Sequence, residues 1–251
     1  MIKWKSIFGA AAILAVVQAA APANAGSGDA PTVVELFTSQ GCYSCPAAEA
    51  FLTELADKED LVALEWHVDY WDELVYGYAG KWKDPFSSRD NTHRQQIYNQ
   101  SIRGQGGVYT PQMIIGGRLE AVGSQRGSVQ TAIQRTRAEA PAKLGVTIIP
   151  KADKGMVVHV DGKDARPASI WLIRYDHAHT TVVKSGENKG KTLTSRNIVR
   201  GVERVGAWKG RSTKVELASL SLAENQGCAI LVQGEKPNRH GPILGAANCP
   251  R

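Results

Sequence analysis

The segment Leu36-Phe37-Thr38-Ser39-Gln40-Gly41-Cys42-Tyr43-Ser44-Cys45-Pro46 constrains this chain more than any other. The apolar, β-branched run Thr32–Thr38 reads as a buried strand. A short polar turn follows and ends at a Cys-x-x-Cys pair. Pro46 then opens a helical run over residues 46–57, where its missing N–H costs little because the first helical N–H groups lack intrahelical acceptors anyway. A strand that delivers two cysteines to a helix start sets a β-turn-α unit and a chemistry together. Unsatisfied N–H groups and the positive end of the helix dipole favour thiolate over thiol at Cys42. Two intervening residues keep Cys45 within bonding reach, so a mixed disulfide on Cys42 is resolved by Cys45. The other meanings of the motif are half of a zinc site and a static short-loop disulfide. There is no second Cys-x-x-Cys, and Cys228 and Cys249 are too far apart to replace one cleanly.

The N-terminus decides the compartment. Lys3 and Lys5 precede an uncharged apolar run over residues 7–21, and Ala23-Asn24-Ala25 then supplies a small-residue cleavage site, the layout of a secretory signal peptide. The apolar core is shorter than the ~20 residues a spanning helix needs. Residues 1–25 are therefore expected to be removed with Gly26 as the new N-terminus, leaving a periplasmic or secreted protein without a membrane anchor. Four cysteines, an even number, suit an oxidising compartment. Cys228 and Cys249, remote from the motif, are expected to form a structural disulfide. The net charge of +6 includes those two lysines and is scattered without a Lys/Arg run, so nucleic acid is not an expected partner.

The pattern changes near residue 142. Before it, the strand and helix of the motif are followed by a second strand at residues 61–68 and an aromatic- and Gly-rich stretch at 70–107 holding one helix at 87–102. A hairpin over 112–122 then turns at Gly116-Gly117, and a helix capped by Ser124 runs to about 138. The stretch 70–107 reads as an insertion. After Pro141 come short β-branched runs at residues 145–149, 156–160, 168–175, 180–183, 192–199, 213–217, 229–233 and 243–246, separated by turn signals, as expected of a small antiparallel sheet or sandwich.

The strand-CxxC-helix start, the sequence Val108-Tyr109-Thr110-Pro111-Gln112 before a strand and the Gly116-Gly117 hairpin resemble thioredoxin-fold proteins. The strings from Val33 to Cys42, His67-Val68-Asp69-Tyr70-Trp71-Asp72, Tyr109-Thr110-Pro111-Gln112 and Gly186-Glu187-Asn188-Lys189-Gly190-Lys191-Thr192-Leu193 are similar, more closely, to domain-of-unknown-function family 1223. That is a family of bacterial secreted proteins with a thioredoxin-like domain, and the likeness runs from about Thr32 to Ala247. The resemblance implies an α/β thioredoxin-like domain with a helical insertion over residues 30–141 and a smaller antiparallel β-rich domain over 142–251. It implies a cis Pro111 facing the cysteines. It also makes Glu35 the near match to the buried acid that moves protons in such enzymes, although its spacing is one residue longer than usual. The other meaning of Glu35 is a charge partnered within its own domain or at the interface with the second. Gly41 before the motif and Tyr43-Ser44 inside it depart from the thioredoxin pattern, so a redox potential does not transfer.

The expected function is thiol-disulfide exchange with the thiols or disulfides of exported proteins through Cys42 and Cys45, with Pro111 and Glu35 in support. A redox-inert binding module on the same scaffold and a copper-handling protein using both thiolates are the alternatives. No cofactor is expected. His67, Asp69 and His93 are conceivable metal ligands, but single histidines at strand ends are more often hydrogen-bonded structural groups. Trp66, Tyr70, Trp71, Tyr76, Tyr78 and Trp82 either line a groove beside Cys42 or, the favoured reading, close a core or seam. Residues 185–191 are Gly- and Lys-rich but lack Walker spacing, and read as a turn between strands. The oligomeric state is left open.

Overall fold

The computed structural model describes Met1 and residues 30–74, 80–139, 144–164, 166–218, 220, 222–237 and 239–250. The signal-peptide reading, Tyr76 and Tyr78 lie outside these residues. The elements run β1 (Thr32–Thr38), α1 (Cys45–Ala56), β2 (Leu61–His67), α2 (Arg89–Arg103), β3 (Gln112–Ile115), β4 (Leu119–Val122), α3 (Arg126–Glu139), β5 (Gly145–Pro150), β6 (Met156–Asp161), β7 (Ala168–Val182), β8 (Thr192–Trp208), β9 (Thr213–Leu217), β10 (Gln226–Lys236) and β11 (Arg239–Asn248).

Eight of these strands form one sheet in the order β11-β10-β7-β8-β2-β1-β3-β4. β1 is its pivot, parallel to β2 and antiparallel to β3. Strand alternation distributes the side chains. Val34 and Leu36 of β1 join Leu61 and Ala63 of β2 under α1 and α3, whereas Val33 and Phe37 join Val62, Leu64 and Trp66 against Tyr98 of α2. The same alternation continues into β7 and β10. Ile173, Tyr175, Ala229 and Leu231 share the α2 face, while Ile170, Leu172, Ile230 and Val232 turn to the opposite face. There they meet Met156, Val158 and Val160 of a separate three-stranded sheet, β5-β6-β9.

This corrects the expected second half in one respect. β5, β6 and β9 do make a small sheet, but β7, β8, β10 and β11 extend the sheet of the first half, so no break in the main sheet falls near residue 142. The junction is a single β-bridge, Glu65 to Ile198. Polar groups hold it besides: Asn197, left-handed at φ 51°, donates its amide to the Ala63 carbonyl at 2.9 Å, and the Arg196 N–H donates to the Glu65 carboxylate at 3.0 Å. The runs expected at 168–175 and 180–183 are one 15-residue strand, and β8 reaches 17 residues. Charged residues such as Glu203 and Arg204 interrupt the apolar pattern of β8, but their backbones remain in the ladder with β7.

Candidate active site

α1 begins at Cys45, with Ser44 as N-cap and Pro46 in the first turn, as the sequence suggests. The cysteines are joined as a disulfide with Cα atoms 5.4 Å apart. Cys42 stands two residues before the cap, in a turn closed by its N–H to the Ser39 carbonyl at 3.1 Å and by the Cys45 N–H to its own carbonyl at 3.2 Å. Its sulfur lies 3.5 Å from the Ser44 hydroxyl. Both cysteines are fully buried, while Tyr43 between them is 68% exposed.

The Thr110-Pro111 peptide is cis. β3 starts immediately after it, with Gln112 opposite Phe37 near the end of β1 from which the cysteine turn departs. Pro111 approaches α1 at Gly123, where a side-chain carbon would lie 3.0 Å from Ala48 and 3.3 Å from Pro111. Trp71 spans the remaining gap. Its Cβ packs over Gly41, and its indole N–H donates to the Thr110 hydroxyl at 2.7 Å. Trp82 lies beside the same turn and donates to the Gln40 side-chain carbonyl at 3.3 Å. Trp66, by contrast, is core.

Glu35 lies elsewhere. Being one residue from Val34 and Leu36, it points to the α2 face, where Arg94 donates to it at 2.8 Å and the Tyr98 hydroxyl at 2.5 Å. Gln233 of β10 donates to the same hydroxyl at 2.8 Å. Glu35 is thus the partnered charge at the seam between the two halves of the chain. It is not brought to the cysteines, because one step along a strand reverses the face.

The acid on the cysteine face is Glu49. It follows Cys45 by four residues, so the two share one side of α1, and it is buried. The Thr38 hydroxyl donates to it at 2.7 Å. Burial, reinforced by the charge of Glu65, raises its pKa from 4.5 to about 8, so it keeps its proton at neutral pH. Glu65 and His67 follow Leu61 and Ala63 in alternation and reach the same face. His67 Nε2 meets Glu65 at 2.8 Å and Nδ1 meets Asp84 at 2.7 Å, all three buried. Burial alone would disfavour the imidazolium, but Asp84 and Glu65 outweigh it by charge and hydrogen bonds and raise the His67 pKa well above its ordinary value. Asp84 is buried too, yet His67 and the N–H groups of Gln40 and Phe86 hold its pKa low. The Gln40 N–H bond to Asp84, 2.8 Å, ties this cluster to the cysteine turn.

Sequence reading missed Glu49, Glu65 and Asp84. The signals for the first two were the i, i+4 relation of Cys45 to Glu49 and the alternation in Leu61-x-Ala63-x-Glu65-x-His67. Nothing local marked Asp84. Asp69 bonds the Thr92 hydroxyl instead of joining His67. Among the described residues, no group of three or more His, Cys, Asp or Glu is disposed to hold a metal ion.

Residues 183–191, between β7 and β8, lie against the cysteine turn. Asn188, fully buried, donates its amide to the carbonyls of Gln40 at 2.9 Å and Cys42 at 2.8 Å, and Glu187 accepts the Tyr43 N–H at 2.9 Å. Far from this site, Cys228 and Cys249 form the expected second disulfide, with Cα atoms 5.2 Å apart. Among the described residues no helix is long and apolar enough to cross a membrane.

No curated protein matches the chain. The crystal structure of a structural-genomics target protein from Agrobacterium tumefaciens is similar, at 31% identity and a TM-score of 0.76, over 88% of this chain and 94% of that one. The model of the family described as protein of unknown function (DUF1223) matches residues 33–233, and the chain belongs to that family.

Proposed function

We propose that this protein is a thiol-disulfide oxidoreductase of the periplasm or the secreted space, built on a thioredoxin-like scaffold and acting on exported proteins. The observation that carries the reading is the Cys42–Cys45 disulfide at the start of α1, with a protonated carboxyl, Glu49, one helical turn behind Cys45. The arrangement β2-β1-β3-β4 with α1 and α3 on one face, and the cis Pro111 at the head of β3, support the scaffold assignment.

The chemistry balances as follows. A substrate thiolate attacks the Cys42 sulfur, the Cys42–Cys45 bond breaks, and Cys45 leaves as a thiolate that takes the Glu49 proton. A second substrate thiolate then attacks the mixed disulfide and releases Cys42. Two electrons pass to the cysteine pair and the substrate departs with a disulfide. The reverse sequence reduces a substrate disulfide. Proline at 111 has no N–H to donate, which leaves the Thr110 backbone available to an extended substrate strand.

The test is a Cys45→Ser variant exposed to reduced and oxidised secretory proteins. It should accumulate mixed disulfides through Cys42, and Cys42→Ser should trap none. Equilibration of the wild-type pair with glutathione should give a definite potential. A pair that exchanges with neither glutathione nor protein thiols would refute this reading and favour the inert binding module, which the full burial of both sulfurs also suits.

A further inference from the structure

We propose that residues 183–191 form a latch that occupies the docking surface of an extended, cysteine-bearing polypeptide, so that Cys42–Cys45 exchanges only when such a partner displaces the loop. This rests on the redox reading above and names the form of its substrate.

The loop is held as its own turn by bonds from the Val183 N–H to the Lys191 carbonyl at 2.9 Å and from the Gly190 N–H to the Val183 carbonyl at 2.8 Å. Gly186 and Gly190 supply left-handed backbone at φ 76° and 85°. Gly186 also allows contact with Trp82, since an added Cβ would come within 2.9 Å of the Trp82 Cβ. From this turn, side chains 144 to 148 residues away in sequence engage main-chain groups around the cysteines. Asn188 supplies donors to the Gln40 and Cys42 carbonyls, and Glu187 supplies an acceptor to the Tyr43 N–H. Lys191 braces the arrangement by donating to Asn188 Oδ1 at 2.8 Å and sitting 4.7 Å over the Tyr43 ring.

Donors to two carbonyls and an acceptor for an N–H are what the backbone of an extended peptide offers to a receptor. The amide and carboxylate of the loop therefore stand in for a peptide main chain beside the disulfide. A second observation agrees: the Gln40 Nε2, buried in the same turn, has no partner among the described residues and is a donor left over for an incoming carbonyl. Both cysteines are fully buried while the loop is bonded to the main chain of this turn, and on this proposal lifting the loop opens the path of an attacking thiolate to Cys42. Lifting it breaks side-chain bonds at one end of a hairpin and leaves the β7–β8 ladder intact.

The experiment follows reduction of each disulfide by dithiothreitol, quenched by alkylation and read by peptide mass. The reagent's thiolate attacks Cys42, Cys45 leaves as a thiolate, and ring closure of the reagent releases Cys42. In Asn188→Ala, and independently in Gly186→Ala, reduction of Cys42–Cys45 should be at least about tenfold faster than in the wild type, because two buried hydrogen bonds or the seating against Trp82 are lost. Reduction of Cys228–Cys249 in the same samples should be unchanged. Unchanged Cys42–Cys45 rates in both variants would overturn the latch. Parallel acceleration of both disulfides in both variants would overturn it too, since opening would then be global. Selective acceleration without any exchange with protein thiols would keep the latch and refute the oxidoreductase reading instead.

Discussion

Replacing Glu49 with glutamine tests the core of the site, because it removes a titrating group while keeping its size and an oxygen for the Thr38 hydroxyl. A pKa raised from 4.5 to about 8 means that between these values the folded chain holds a proton that the unfolded chain has released. The unfolded state then binds fewer protons, so stability falls as pH rises through this window and levels off above about 8. At about 1.4 kcal/mol for each tenfold in proton affinity, the full effect is on the order of 5 kcal/mol. The glutamine side chain of the Glu49→Gln variant does not titrate. Urea unfolding with both disulfides intact should therefore give similar stabilities for the two proteins at pH 4.5, with the variant gaining steadily on the wild type up to pH 8.5. His67 and Asp84 are charged neighbours of Glu49, so the difference profile reports Glu49 together with its coupling to them. A flat difference between pH 4.5 and 8.5 would mean that Glu49 is ionised in the fold, and the proton-donor role would go with it. The variant should also exchange disulfides more slowly at neutral pH, where the wild type supplies the Glu49 proton to the Cys45 thiolate.

Arg94→Met should destabilise the protein by about 3–5 kcal/mol by stranding the buried Glu35 charge, and pairing it with Glu35→Gln should restore much of the loss. Thiol exchange at Cys42 should be unaffected, and a selective kinetic defect in stopped-flow assays would return Glu35 to the site. Opening Cys228–Cys249, which closes a span of 21 residues, with Cys228→Ala should cost ~3 kcal/mol in urea unfolding. A shift in the Cys42–Cys45 potential of the same variant would show that the two disulfides communicate.

The parts of this molecule legible in its sequence are those set by neighbouring residues. The strand, turn and Pro46-started helix around Cys42 and Cys45 follow from local pattern and helix-start physics, and residues 112–122 show their hairpin through Gly116-Gly117, both left-handed. The pairing of Cys228 with Cys249 followed from their separation from the motif. The rest depended on which faces meet. Glu35 was a candidate by its closeness to Cys42 in sequence, yet strand alternation sends it to Arg94 and Tyr98 on the other side of the sheet. Glu49, Glu65, His67 and Asp84 come from three segments and meet only when β2, α1 and the stretch before α2 are packed together, and burial and mutual distance then set the pKa values of Glu49, His67 and Asp84. The one-sheet architecture was equally hidden, because the β2–β8 junction rests on one bridge and on the side chains of Glu65 and Asn197 and carries no hydrophobic period. Residues 183–191 read as a plain turn. Only the fold, by carrying Asn188 across to Gln40 and Cys42, sets that turn against the cysteines.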